Sequence, residues 1–265
     1  MIILGCVLAI LVGITLGLIG SGGTILTVPI LVYIMAVEPT LSTTYSLFAI
    51  GITSLIGAVR GIIKKEADLP KVLTFGVPSL IVVFITRSFI LPLVPEVIHI
   101  AGYSFHQNVL LMILFSFVMV ASSLSMIRSA KYNPEVPPEY VKTPIEVIVF
   151  QGALVGLVTG LVGAGGGFLI IPALVNFYHL PMRKAVATSL IIISINSFFG
   201  VMGDLEKFEL FDWELLIGYT GGTVIGIFIG FYLSEKISNK NLKKGFGYMI
   251  LIVGLYILIK ETLLR

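Results

Sequence analysis

Ten stretches of the chain are continuously apolar, without the alternation of apolar and polar residues that marks a half-buried strand. A bilayer core about 30 Å thick requires about 20 apolar residues of helix, since only helices and closed barrels satisfy their own backbone polar groups in lipid. The pattern therefore predicts an all-α polytopic membrane protein. The predicted segments are Ile2 to Ile19, Ile25 to Val37, Leu41 to Ile63, Val72 to Phe89, Val109 to Met126, Ile145 to Val162, Phe168 to Leu180, Ala185 to Met202, Leu215 to Leu233 and Leu242 to Ile259.

The second and seventh segments are too short to span a bilayer comfortably. Each follows the segment before it through a glycine-rich stretch, GSGG at 20–23 and GAGGG at 163–167, with too few residues for an ordinary aqueous loop. Glycine allows the chain to leave helical geometry at such points. We therefore expect two glycine-rich hairpins, formed either by broken helices or by re-entrant turns.

Composition excludes a soluble fold and narrows the chemistry. The chain is 57% hydrophobic and only 12% charged, against about 25% charged in soluble domains. Cys6 is the single cysteine, which excludes an internal disulfide, and the three histidines lack the spacing of a helical metal site. We expect no metal, no cofactor and no nucleic-acid partner, and no enzymatic activity, because intramembrane proteolysis would need a Ser with a His or paired aspartates in the spans.

Basic residues are distributed unequally between the two ends of the segments. Cytoplasmic loops carry an excess of lysine and arginine, so the richer side is predicted to be cytoplasmic, with both termini extracytoplasmic, in a plasma (inner) membrane of bacterial type. Thirteen of the 17 basic residues lie on that side: Arg60, Lys64, Lys65, Lys71, Arg128, Lys131, Lys142, Arg183, Lys184, Lys236, Lys240, Lys243 and Lys244. The other side holds Arg87, Lys207, Lys260 and Arg265.

The loop GDLEKFELFDWE at 203–214 lies on the outer side and is strongly acidic. A solvated outer face is the interpretation we favour, and a functional role is the alternative. Its acidic residues are Asp204, Glu206, Glu209, Asp212 and Glu214.

The chain contains an internal repeat at a shift of 143 residues. Without a gap, GITLGLIGSGGTILTVP at 13–29 aligns with GLVTGLVGAGGGFLIIP at 156–172, and the same shift places Ser46 on Ser189. Each unit has an odd number of crossings, so the two copies are predicted to be inverted repeats of about five helical segments. We expect the first repeat at residues 1–130, a cytoplasmic linker at 131–144 and the second repeat at 145–265.

Inverted repeats with interrupted helices at corresponding positions are typical of secondary transporters whose site lies near the membrane midplane. The helices beginning near Thr24 and Phe168 would direct N–H groups and the positive end of a dipole at an anion. The alternative is tight helix packing by small residues, which suits the spacing of Gly13 and Gly17. The candidate residues at the two breaks are Gly20, Ser21, Gly22, Gly23, Thr24, Gly163, Gly165, Gly166 and Gly167.

Small polar residues in the third and eighth segments complete the candidate site, although Ser and Thr in helices also bond their own i−4 carbonyl. No Asp or Glu lies in the middle of a span, which disfavours a cation carrier and suits an anion held by neutral donors. Glu38 and Glu66, at segment ends, are either proton carriers or interfacial residues. The polar candidates are Ser46, Thr188, Ser189 and Asn196.

The stretches GLIGSGGTILTVPIL with STTYSLFAI, and GLVTGLVGAGGGFLIIPAL with ATSLIIISINSFFG, resemble the sulfite exporter TauE/SafE family of membrane permeases over nearly the whole chain. The resemblance implies transport of sulfur-containing anions, such as sulfite, sulfoacetate or related organosulfonates, through two inverted helical bundles. It also implies that the glycine turns and the polar candidates named above form the substrate region. The first copy departs from the second by placing Tyr45 at the position of Thr188.

The resulting hypothesis is a secondary transporter, acting as an exporter of a small sulfur-containing anion by alternating access between the two repeats. A passive anion channel and a permease for another small anion are the alternatives. The expected partners are the anionic substrate and the lipid bilayer. Proton coupling and oligomeric state stay open.

Overall fold

In a computed structural model of the chain, the structure describes residues 2–20, 23–95, 97–100, 103–129, 144–176, 178, 180–234 and 239–263. Apart from one short β-hairpin, these residues form an all-α membrane fold, as predicted. Its first part comprises α1 (Ile2–Ile19), α2 (Thr24–Pro29, continued by a π-helix at Ile30–Ile34), α3 (Pro39–Ile63), α4 (Leu69–Ile85, continued by a π-helix at Thr86–Ile90), α5 (Leu91–Leu93), β1 (Val97–Ile100), β2 (Tyr103–His106) and α6 (Gln107–Ser129).

The second part of the described chain is also helical. It comprises α7 (Ile145–Val162), α8 (Gly167–Asn176), α9 (Met182–Met202), a 3₁₀ helix (Leu205–Leu210), α10 (Trp213–Ser234) and α11 (Asn239–Leu263). Each of the ten apolar segments predicted from the sequence overlaps one of these helices. The boundaries follow local chemistry: the Asp68 side chain caps α4 by accepting the Lys71 N–H at 3.2 Å, and Gly163 ends α7 in a left-handed conformation with φ of 69°.

Six helices within the described residues are long and apolar enough to cross a membrane: Pro39–Ile63, Leu69–Leu93, Gln107–Ser125, Ile145–Val162, Met182–Met202 and Trp213–Ser234. Large apolar side chains cover the outside of the bundle. Phe117 is 67% exposed and Ile217 is 63% exposed. Contiguous apolar surface of this extent is rare on soluble proteins, and it identifies the lipid-facing side of an integral membrane protein.

Helices α3 and α9 cross at the centre of the bundle and are the most buried of the spans. At the crossing, the Ser194 hydroxyl donates to the Gly51 carbonyl at 3.2 Å. Around this pair, α1 packs on α10, α4 packs on α7, and α6 packs on α11. Helix α4 also packs against α9, and α10 packs against α3.

Glycines line the α1–α10 and α4–α7 interfaces, where the two backbones touch. A Cβ on Gly13 would collide with the Thr223 carbonyl, and one on Gly17 would lie 2.6 Å from the Ile227 carbonyl. Gly156 makes the same kind of contact with the Ser79 carbonyl. These glycines therefore serve close helix packing, the alternative that their spacing suggested.

A short β-hairpin lies between α5 and α6 and was not predicted from the sequence. Its strands β1 and β2 are antiparallel, with Val97 opposite His106 and Ile100 opposite Tyr103. The four-residue strands are too short for periodicity to reveal them.

Candidate functional site

The break between α7 and α8 is built from glycines in a conformation that other residues rarely adopt. Gly163, Gly165 and Gly166 all have positive φ, at 69°, 64° and 70°. Space is equally restrictive, because a Cβ on Gly166 would collide with the Thr159 hydroxyl. A side chain at these positions would therefore strain the backbone as well as displace its neighbours.

Gly165 lies against the crossing of the two central helices. A Cβ there would be 3.1 Å from Ile50 Cγ2 of α3, 3.2 Å from Ile193 Cγ2 of α9 and 3.2 Å from the Ser197 hydroxyl. The turn that begins α8 is thus buried at the middle of the bundle, where the sequence placed the candidate site.

Two hydroxyl groups near this turn have no hydrogen-bond partner. Thr159 Oγ1, next to Gly166, and Ser197 Oγ, next to Gly165, are both buried and unpaired. A buried polar atom without a partner costs about 1–3 kcal/mol, so such atoms are unusual outside functional sites. The N–H groups of Leu169 and Ile170 already donate to the Gly166 carbonyl at 2.9 and 3.0 Å. The two hydroxyls and the N–H groups of Gly167 and Phe168, at the start of α8, are therefore the neutral donors that this turn offers to a ligand.

The break between α1 and α2 has related geometry at the residues that the structure describes. Gly20 has φ of 78°, and a Cβ on it would lie 2.5 Å from Val186 Cγ1 of α9. A Cβ on Gly23 would collide with the Val12 carbonyl, and Thr24 is fully buried. Ser21 and Gly22, the other two candidates here, lie outside the described residues.

The polar candidates of α3 and α9 divide into two groups. Ser46 Oγ and Asn196 Oδ1 are buried without a partner, whereas the Asn196 amide donates to Ser79 Oγ at 2.7 Å. The Ser189 hydroxyl is used locally, donating to the Val186 carbonyl at 2.8 Å. Ser46 therefore keeps a hydroxyl that can donate to an anion, whereas the unpaired oxygen of Asn196 is an acceptor and the Ser189 hydroxyl already donates within its own helix.

Thr188 and Tyr45 act as helix-terminus acceptors. Thr188 Oγ1 accepts the N–H of Asp68, which precedes α4, at 2.9 Å. The Tyr45 hydroxyl accepts the N–H of Asp212, which precedes α10. The two counterparts thus make equivalent contacts, since Tyr45 in α3 binds the backbone before α10 and Thr188 in α9 binds the backbone before α4.

Sequence reasoning missed a buried charge cluster near the ends of α4 and α9. Arg87 is 0% exposed, and its Nη1 donates to Asp204 Oδ2 at 2.6 Å and to Thr43 Oγ1 at 3.0 Å. The Thr44 hydroxyl donates to the same carboxylate oxygen at 2.7 Å. Lys207 Nζ donates to Asp204 Oδ1 at 2.9 Å.

Asp204 corrects the interpretation of its loop as a solvated acidic face. The other four acidic residues of the loop are exposed as expected, but Asp204 is 3% exposed because it neutralises a cation inside the bundle. Burial alone would raise the pKa of Asp204, yet Arg87 and Lys207, with the hydrogen bonds from Lys207 and Thr44, hold that pKa below its usual value.

Two clefts enter the bundle from opposite ends. One, of about 130 Å³, is lined by residues that include Arg60, Glu66 and Arg183 and reaches Gly17 at the end of α1. The other, of about 340 Å³, is lined by Glu38, His106 and Lys207 among others. Lys207 connects the second cleft to the Asp204–Arg87 pair.

Comparisons with known proteins agree with this architecture. Residues 5–257 match the family model described as "Sulfite exporter TauE/SafE". A "Probable membrane transporter protein" of Xylella fastidiosa is 25% identical over 256 residues, covering 94% of this chain and 91% of its own length. Relatives of the same description in Methanocaldococcus jannaschii and Bacillus subtilis are 26% and 25% identical, covering 95% and 94% of both chains. No solved structure matches the chain.

Proposed function

This chain belongs to the sulfite exporter TauE/SafE family, and from that premise we propose that it is a secondary transporter, an exporter of a small sulfur-containing anion such as sulfite or an organosulfonate. The observation that carries the proposal is the group of buried, unpaired donors at the α7–α8 break, formed by Thr159 and Ser197 beside three glycines of positive φ. Neutral donors at a helix N-terminus favour an anion.

The charges of the interior support an anion over a cation. Among the described residues, the buried ionic side chains are Arg87 and Asp204, which form an ion pair. No further carboxylate is buried within that part of the chain to hold a metal ion or a proton.

Symmetric packing supports two inverted repeats, residues 1–130 and 145–265 joined by a cytoplasmic linker at 131–144. At the shift of 143 residues, α1 corresponds to α7, α3 to α9 and α4 to α10. The α1–α10 contact therefore corresponds to the α7–α4 contact, and the α4–α9 contact corresponds to the α10–α3 contact. Individual residues follow the same rule. A Cβ on Gly57 would lie 2.7 Å from Leu190, and one on the counterpart Gly200 would lie 2.8 Å from Leu47, the counterpart of Leu190.

The two ends of the bundle differ in a way that suits alternating access. At the basic end, the cleft beside Arg60 and Arg183 leads to the end of α1. At the other end, the Arg87–Asp204 pair ties the end of α4 to the end of α9 and is enclosed. The second cleft, lined by Lys207, lies on the outer side of this pair, and we interpret the pair as the closure between that cleft and the interior.

Orientation in the membrane follows from the excess of basic residues at one end. The proposal places that end in the cytoplasm, both termini outside, and the protein in the inner membrane. Cysteines introduced at Thr40 and Lys65, in a variant with Cys6 replaced by serine, should react with an impermeant maleimide from the outside and the inside respectively. Reaction of both from one side contradicts this orientation.

The first experiment is flux in proteoliposomes with labelled sulfite, thiosulfate, sulfate and a small sulfonate, with and without a pH gradient. A carrier gives saturable flux that is accelerated by substrate on the far side, whereas a passive channel gives neither property. Dependence on the pH gradient decides proton coupling. Absence of flux for all four anions overturns the proposed substrate class.

A glycine variant tests the location of the site. Gly165→Val should abolish flux while the protein still inserts. The backbone at this position has a positive φ, which strains a valine, and the valine side chain would press on Ile50 and Ile193. Gly221→Val is the matched control, since Gly221 in α10 has open space at its Cβ position and should retain flux. Normal flux by Gly165→Val would show that the α7–α8 break is not part of the transport pathway.

A further inference from the structure

Arg87 is a buried cation that uses only part of its hydrogen-bonding capacity. Its Nη1 donates to Asp204 and Thr43, but Nε and Nη2 are buried and have no partner. A guanidinium offers five N–H donors in a rigid plane, and leaving them unpaired in the interior is costly. The salt bridge therefore accounts for one edge of the side chain and leaves the other edge without a role.

The cluster around Arg87 also carries an excess of positive charge. Arg87 and Lys207 both bind the carboxylate of Asp204, so two cations share one anion. Thr43 and Thr44 are neutral, and no other acidic side chain is buried within the described residues. The three charged side chains of this cluster have a formal net charge of about +1, with Lys207 partly exposed to the second cleft, and this excess favours the approach of an anion.

The unpaired edge of Arg87 faces the glycine turn of the proposed transport site. A Cβ on Gly163 would lie 2.5 Å from Nη2 of Arg87, so this nitrogen is packed directly against the residue that ends α7. Next to it, Thr86 Oγ1 is also buried without a partner, at the point where a Cβ on Gly160 would meet the threonine Cβ at 2.6 Å. Two unpaired donor atoms, Arg87 Nη2 and Thr86 Oγ1, thus lie along the last turn of α7, and the unpaired Nε belongs to the same planar guanidinium.

We propose that the Nε–Nη2 edge of Arg87 binds two oxygens of the transported oxyanion when the α7–α8 turn moves away from it, while Asp204 and Thr43 hold Nη1 and fix the plane of the guanidinium. This inference rests on the proposed function and names the residue that recognises the substrate in the outer half of the pathway. The Nε–H and Nη2–H bonds are parallel, which matches two oxygens on one sulfur atom. A halide has a single centre and gains much less from this geometry.

A structural lock is the competing explanation. In that case Arg87 would only tie α4 to α9 through Asp204, the contact that Nη1 already makes. A lysine could retain such a tie as a point charge, but it would lack the planar pair of donors. The two explanations therefore predict different outcomes for Arg87→Lys.

The test measures sulfite flux in proteoliposomes and sulfite-dependent thermal stabilisation of the purified protein, in wild type and Arg87→Lys. We expect KM for sulfite to rise about tenfold or more in the variant, since a charge-assisted bidentate contact is lost, with the thermal stabilisation by sulfite reduced in parallel. Arg128→Lys is the control, because Arg128 is exposed at the end of α6 and should keep the wild-type KM.

A measurement on wild type alone keeps the proposal testable if Arg87→Lys does not fold. At equal ionic strength, sulfite and methanesulfonate should raise the unfolding temperature, and chloride should not. Equal stabilisation by chloride overturns the two-oxygen recognition.

The outcomes separate this inference from the function on which it rests. Sulfite transport by wild type with an unchanged KM in Arg87→Lys refutes the role of Arg87 and leaves the transporter standing. Wild type that neither transports nor is stabilised by any oxyanion refutes both.

Discussion

Replacing Asp204 by alanine should destabilise the protein far more than replacing its other ionic partner, Lys207. In Asp204→Ala the Arg87 cation stays buried without a counter-charge, since the two side chains are 0% and 2% exposed. Removing one member of a buried ion pair typically costs about 3–5 kcal/mol. The Thr44 hydroxyl loses its acceptor in the same variant, which places the expected cost toward the upper end.

The control variant, Lys207→Ala, removes the other cation from the same carboxylate. Lys207 is 27% exposed, so water replaces much of its interaction and the cost should be below about 1 kcal/mol. With about 2–4 °C per kcal/mol for chains near this size, the melting temperature should fall by about 6–20 °C in Asp204→Ala and by less than about 4 °C in Lys207→Ala.

Thermal unfolding in detergent, followed by fluorescence, measures both variants. The single tryptophan, Trp213, lies at the start of α10 and packs against Phe211 with ring centroids 5.4 Å apart, close in sequence to Asp204. Equal shifts for the two variants would refute the reasoning, because they would mean that Arg87 is solvated once its partner is removed.

The pH dependence of this difference has a definite sign. The pKa of Asp204 is lowered from 3.8 in the folded protein, so its contribution to stability is fully present above that value and is lost as pH falls through the lower, folded-state pKa. The gap in melting temperature between wild type and Asp204→Ala should therefore be constant near neutral pH and shrink only below about pH 4.

The remaining predictions concern helix packing and helix termini. Gly226→Leu should cause loss of folded protein in detergent, because a Cβ there collides with the Ile10 carbonyl. Gly221→Leu, five residues earlier on the open face of α10, should be tolerated. Equal yields of the two variants would contradict the close α1–α10 contact. Thr188→Val should lower the free energy of unfolding by about 1 kcal/mol, because the Asp68 N–H loses its acceptor. The KM for the substrate should not change. A change in KM without a change in stability would instead place Thr188 in the binding site.

The helices were predictable from the sequence because lipid leaves few alternatives. A run of about 20 apolar residues must be a helix, and Gly163 and Asp68 mark helix ends by chemistry that operates locally. The β-hairpin after α5 was not predictable in this way, since four-residue strands carry no usable period. Long elements follow from composition and short ones depend on their surroundings.

The sequence identified polar residues that lie inside the bundle, but it did not show which partner each of them has. Ser46 and Ser189 are counterparts in the repeat, yet Ser46 has no partner and Ser189 bonds the Val186 carbonyl. The choice depends on the neighbour that each hydroxyl meets. Likewise, the sequence shows Thr188 among small polar residues, and only the packed structure shows that its oxygen accepts the Asp68 N–H.

The Arg87–Asp204 pair could have been found from the sequence by a stricter use of charge. An arginine within an apolar span needs a counter-charge at the same depth, and the loop after α9 offers five acidic residues on the side where Arg87 lies. Asp204 differs from the other four by following Gly203, where a Cβ would lie 2.7 Å from Arg87 Cβ. The missing side chain lets α4 approach the end of α9 closely enough for the carboxylate to reach the guanidinium. The Gly203–Asp204 dipeptide, together with the requirement that buried Arg87 have a counter-charge, would therefore have predicted this ion pair.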